Sequence, residues 1–235
     1  MSYDRKIETN PEQFSAVKHA VGGTHSRCPY LVFEPPGTGK TVTLVEAIKQ
    51  VAKVSPSYHM LAYAPSNTSG DLLTERLVQH ISKKDIIRLH TSSRVVAAIP
   101  RSVKDVSNVR EGRFFYPLLE QLVKYKVIVT TVVTAGRLVS AQFPQDPFTH
   151  VFIAESGQVT EPDSVIAVAG LISTKGRVVV ARDPKQLYSK VYDKRCITKL
   201  VKNSGSHKEL ITIPKALCYD NELDVCADEV SQLTL

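Results

Sequence analysis

The 235 residues contain no C-x-x-C pair, no block of lysine and arginine, no internal repeat and no low-complexity tract. They also contain no apolar run near the ~20 residues that a membrane-spanning helix needs. Each absence removes a class of protein. The four cysteines, Cys28, Cys196, Cys218 and Cys226, have no histidine at zinc-binding spacing and read as reduced thiols of an intracellular protein, without a metal or disulfide role. The amino terminus carries no apolar stretch of a secretory leader, so a soluble protein of the cytoplasm or nucleus, with no membrane contact, is expected. What is present is 43% hydrophobic residues, enough for a core, and a formal net charge of +7. A basic balance suits a phosphate-bearing partner. The charge is dispersed, however, and by itself fits any basic soluble protein equally well.

Five short apolar runs, at 30–33, 60–64, 127–131, 151–154 and 177–181, the last three rich in β-branched residues, alternate with helical stretches. The first helix is opened by Asn10 as N-cap, with Pro11 in the first turn and Gln13 three residues past the cap; Gly22 and Gly23 close it. Alternation of this kind predicts an α/β fold with a parallel sheet flanked by helices and ligands at the carboxyl ends of its strands. The span around 91–115 is polar and aperiodic and reads as an irregular insertion, either touching nucleic acid or simply solvated.

The run at 30–33 leads into Glu34, Pro35, Pro36, Gly37, Thr38, Gly39, Lys40 and Thr41. This is the phosphate-loop pattern G-x-x-x-x-G-K-[ST] with glutamate in the first glycine position. Backbone N–H groups of such a loop cradle phosphates, the lysine reaches the β- and γ-phosphates and the hydroxyl holds Mg²⁺. Glu34 puts a side chain where a tight turn favours glycine, and a negative charge beside the polyphosphate. Polar segments also follow the later runs: Ala64 to Thr68, Thr131 to Arg137, Ala154 to Gln158 and Asp183 to Leu187.

The order of these motifs, with Lys40–Gln50, Thr134–Pro144 and Ile197–Leu200, resembles the superfamily-one, Upf-like RNA helicases, most closely the Moloney-leukaemia-virus-ten and Armitage branch. The resemblance implies a RecA-like domain over 1–195 and a truncated start of a second over 196–235. It gives nucleotide-binding roles to Gln13, Pro35, Pro36, Gly37, Thr38, Gly39, Lys40 and Thr41, with Gln13 on adenine and Thr41 on Mg²⁺. Catalytic roles fall to Glu155, which polarises water, and to Gln186, which senses the γ-phosphate. Contacts to single-stranded RNA fall to Pro65, Ser66, Asn67, Thr131, Thr134 and Arg137. ATP and Mg²⁺ are the implied cofactors, RNA-silencing or ribonucleoprotein factors the implied partners, and cytoplasmic RNA granules (P-bodies) the implied setting.

Departures from the family pattern fall on the chemistry. Ala154 replaces the carboxylate that helps hold Mg²⁺, Arg182 replaces a glycine, and Ser204 and Gly205 stand where the family has an adenine-stacking ring and an arginine on the γ-phosphate. Such an arginine is worth about 10³ to 10⁵ in rate. The expectation is therefore a core fragment that binds nucleotide and single-stranded RNA weakly, with hydrolysis and unwinding impaired or lost. The alternatives are an ATPase completed by a partner or a longer form, and a decayed fragment with neither activity.

Overall fold

The structure, a computed structural model, describes residues 4–22, 28–33, 35, 37–143, 147–183, 196–204, 211, 212, 215, 216, 219 and 222–226. Its strands are β1 (Tyr30–Phe33), β2 (Met60–Ala64), β3 (Ile86–Arg88), β4 (Val109–Arg110), β5 (Arg113–Phe114), β6 (Val127–Thr131), β7 (Phe148–Ile153), β8 (Ile172–Arg182), β9 (Ile197–Lys199), β10 (Lys202–Asn203) and β11 (Asp224–Val225). The helices are α1 (Arg5–Glu8), α2 (Pro11–Gly22), α3 (Lys40–Val54), α4 (Asn67–Leu77), α5 (Arg101–Lys104), α6 (Leu119–Leu122), α7 (Val132–Ser140) and α8 (Glu161–Leu171). Seven strands form one parallel sheet in the order β3-β6-β2-β7-β8-β1-β9. All five apolar runs lie in it.

Both faces of the sheet are covered, which is why the central strands carry apolar residues on both sides. Val32, Ala62, Val129 and Phe152 point toward one layer, built with Val17, Ile48 and Leu73 from α2, α3 and α4. Leu61, Ile128 and Val151 point toward the other, with Ala135, Leu138 and Leu171 from α7 and α8. Because all neighbours run parallel, every loop after a strand leaves from the same edge of the sheet, and the polar segments are gathered there.

Three observations go beyond the sequence reading. β9 lies in the span given to a second domain, yet it pairs with β1 at the edge of this same sheet, and the Leu200 amide continues the ladder to the Phe33 carbonyl at 2.8 Å. The 91–115 span carries α5 and the β4–β5 hairpin and is pinned to the core. Asn108 donates to the carbonyls of His90 and Phe115 and accepts from the His90 amide, while Val103 is fully buried. Finally, the reading of four reduced thiols is corrected for two of them: Cys28, ahead of β1, and Cys196, ahead of β9, are joined in a disulfide. They stand 168 residues apart and are brought together because β1 and β9 are neighbours. Among the described residues no helix is long and apolar enough to cross a membrane, and no group of three or more histidine, cysteine or acidic side chains could hold a metal ion.

Candidate nucleotide and strand site

β1 delivers the chain into the phosphate loop and α3 starts at Lys40. Gly39 caps α3 in the left-handed region (φ +94°) with no side-chain cap, and Gly37 also has positive φ (+76°). A residue with a Cβ is disfavoured at both places, and the uncapped N–H groups of the first turn are left for an anion. The loop is held by its own hydroxyl: Thr38, buried, donates Oγ1 to the Pro35 carbonyl at 2.8 Å. Lys40 and Thr41 open onto a cleft shared with Leu44, Ser69, Leu72, Leu73, Ala154, Glu155 and Ala181. Glu34, Pro36, Gln186 and Gly205 lie outside the described residues.

Gln13 reaches this loop from α2. It is buried, and its side-chain amide donates to the Thr38 carbonyl at 3.1 Å, leaving the amide oxygen as an acceptor. The chain beyond β9 returns to the same place. The Ser204 amide donates to the Gly37 carbonyl at 3.2 Å, and a Cβ on Gly37 would fall 2.5 Å from the Asn203 side chain. Ser204, where the resemblance puts a stacking ring, thus borders the phosphate loop with a hydroxyl and no ring. Arg182 ends β8 opposite Phe33, beside the start of the loop. Asp183, buried, accepts the Tyr219 hydroxyl at 3.1 Å on each carboxylate oxygen.

Ala154 extends the β7–β2 ladder, its amide on the Tyr63 carbonyl at 2.9 Å, and brings a methyl to the cleft. Glu155 follows at φ +50°, ψ +41°, a left-handed conformation that costs a non-glycine residue on the order of 1 to 3 kcal/mol. Its carboxylate accepts from the Ser69 hydroxyl at 2.6 Å. The donor set suits phosphate better than a divalent cation. The loop amides, the α3 N-terminus and Lys40 all favour an anion, whereas Thr41 has no carboxylate at position 154 to share an ion with.

The residues given to strand contact lie along the neighbouring strand ends. Ser66 caps α4, accepting the Ser69 amide at 3.1 Å, and Pro65, Ser66 and Asn67 are half-buried. Thr131 is half-buried at the N-cap of α7, and Arg137, in the last turn of that helix, is exposed. Thr134 is fully buried, its hydroxyl 3.2 Å from that of Thr131.

Beneath this surface sits a charged cluster that the sequence reading did not single out. Arg88, with no solvent exposure, donates Nε to Asp71 at 3.1 Å, Nη1 to the Leu89 carbonyl at 2.9 Å, and Nη2 to the Asn67 side-chain oxygen at 3.2 Å and carbonyl at 3.3 Å. Arg94 forks onto the two oxygens of Asp71. Burial works to raise the Asp71 carboxyl, but Arg94 and Arg88 outweigh it and hold the group below its usual range. Burial, with the charges of Arg88 and Arg94, depresses His90 to about 3. An arginine inside the apolar run Ile86 to Leu89 was the available signal, since such a charge must find a buried partner.

The model of the AAA domain family matches residues 8–113. The chain is 44% identical to the putative helicase mov-10-B.1 of Danio rerio, over 97% of this chain and 26% of that protein. It is 42% identical to the putative helicase MOV-10 of Gallus gallus, over 94% and 27%, and 30% identical to the probable RNA helicase armi of Drosophila melanogaster, over 93% and 21%. It spans about a quarter of the length of these curated relatives. Among solved structures, a DEAD box protein from Methanococcus jannaschii superposes with a TM-score of 0.58 at 9% identity, over 85% of this chain and 55% of that one. The Pyrococcus furiosus Hef helicase domain gives 0.51 at 13%, over 81% and 36%. These two likenesses concern the fold.

Proposed function

The chain belongs to the family of the mov-10 and armi helicases, as a segment of their helicase core, and on that premise we propose that it binds nucleotide and single-stranded RNA weakly and turns ATP over slowly or not at all. The observation that carries the reading is the gathering of Lys40, Thr41, Glu155, Ser66, Asn67 and Thr131 at the carboxyl edge of one parallel sheet, with Gln13 reaching the same loop from α2. The loop amides and Lys40 take the phosphates, and the free oxygen of Gln13 accepts from an exocyclic amino group of the base. Thr41 would hold Mg²⁺ without a carboxylate at position 154 to share it, and the ion when bound would neutralise phosphate charge. Ser66, Asn67, Thr131 and Arg137 contact the sugar–phosphate backbone with little regard to sequence.

Weakness follows from what is missing. Ala154, at the cleft, brings no carboxylate, and Ser204, bonded to the phosphate loop, offers no ring to stack on the base. Fluorescence anisotropy of labelled single-stranded oligonucleotides across a salt series, with phosphate release measured in parallel, tests the reading. The expected result is sequence-tolerant binding that falls steeply with salt and no strand-stimulated release. A flat salt dependence, or vigorous stimulated hydrolysis by the chain alone, would overturn it.

A further inference from the structure

The nucleotide cleft and the strand surface are joined by two serine hydroxyls. Ser66, the N-cap of α4, donates its hydroxyl to Ser69 Oγ at 3.0 Å while accepting the Ser69 amide at 3.1 Å. Ser69 Oγ in turn donates to Glu155 Oε2 at 2.6 Å. A hydroxyl has a single proton to give. The chain therefore has one direction: Ser66 to Ser69 to the carboxylate. The last bond is short and charge-assisted, the strong kind, and bonds in series polarise one another. Ser69 lines the cleft beside Lys40, Thr41, Ala154 and Glu155, whereas Ser66 stands among the strand-contact residues.

We propose that Ser69 is a positioning residue for Glu155 and that, through Ser66, it makes the environment of that carboxylate depend on whether a nucleic-acid strand is bound. The inference rests on the strand-binding reading above and adds a route by which the strand is felt at the nucleotide cleft. A strand phosphate is an anionic acceptor and competes for the Ser66 proton. Once that proton turns to the phosphate, Ser69 Oγ loses the donor that polarised it. Its bond to Glu155 weakens, and a carboxylate already held in a left-handed backbone changes its hydrogen bonding. No covalent bond is made or broken; only hydroxyl orientations change.

The test uses the whole chain with carbon-13-labelled glutamate. The Glu155 carboxyl resonance is assigned by its loss in Glu155→Gln and followed while a single-stranded oligonucleotide is added; occupancy is read independently by anisotropy. Ser69→Ala keeps the backbone amide that Ser66 caps, so α4 keeps its N-terminus, and Ser69→Thr keeps the hydroxyl. The expected result is a resonance that moves with occupancy in the wild type and Ser69→Thr and stays put in saturated Ser69→Ala. Movement that survives in Ser69→Ala, or a still resonance in the saturated wild type, overturns the inference and leaves strand binding standing. Failure of the wild type to bind the oligonucleotide overturns the strand-binding reading, and the inference with it.

Discussion

Arg88 gives its Nε to Asp71 at 3.1 Å, with the guanidinium wholly out of water and its Nη2 on the carbonyl and side chain of Asn67. A buried ion pair thus fixes the residue that opens the strand surface. Removing the carboxylate leaves a buried arginine without its counter-charge, a loss in the range of about 3 to 5 kcal/mol. Asp71→Ala is expected to lose that much in urea denaturation, and to weaken oligonucleotide binding under conditions where it still folds.

Gly70 shows how tightly the pair is packed. A Cβ there would meet Arg88 Nη2 at 2.7 Å and Cζ at 2.9 Å, and the guanidinium, held on several sides, has nowhere to go. Gly70→Ala is expected to destabilise by about 1 to 3 kcal/mol although it replaces glycine inside a helix. Gly22→Ala, with nothing within 4 Å of the added carbon, stays within about 0.5 kcal/mol of the parent. Paired thermal melts check the contrast.

Acid should unfold the domain early. His90 is depressed to about 3, and His150, by burial and then the charge of Arg177, to about 4. Both are held neutral in the folded state and take up a proton more readily when unfolded. Their contribution is complete above an ordinary histidine pKa of about 6.5 and is lost as the pH falls from there toward 4 and 3. Asp71, also held low, adds loss below the usual carboxylate range. Denaturation midpoints should be flat from pH 8 to 7 and then drop, each histidine contributing about 1 kcal/mol per pH unit. His90→Asn is expected to flatten part of that slope.

The sheet was legible because five short apolar runs sit where strands must be buried on both faces, and all five lie in strands. Their edges were less so. β7 starts at Phe148 and β8 at Ile172, ahead of the runs that announced them, where the pairing of the two strands is irregular between Phe148 and His150. β3 escaped notice because it is a three-residue edge strand ending in Arg88. The phosphate loop was legible from the spacing of Gly37, Gly39, Lys40 and Thr41, and the other motif residues through the resemblance to the helicase family. Ser69 was not found, because its role depends on a contact with Glu155 across 86 residues that no local pattern encodes. The same holds for Cys28 and Cys196, which meet through the neighbouring of β1 and β9.

Ala154 can be reversed. Ala154→Asp places a carboxylate in the cleft beside Thr41, and Mg²⁺ should then tighten ATP binding by about tenfold, or about 1.4 kcal/mol. ATP-dependent strand displacement should stay absent, since Ser204 still offers no ring to the base. Calorimetry with and without the metal, and a displacement assay, check the two halves separately.

The central claim is that the cleft takes phosphates through the loop and Lys40 with little help from a metal, and titrating ATP into the chain with and without a chelator tests it most directly. The account predicts saturable binding weaker than about 0.1 mM, little changed by chelation and lost in Lys40→Ala. Micromolar affinity that vanishes on chelation, or no saturable binding at all, would contradict it.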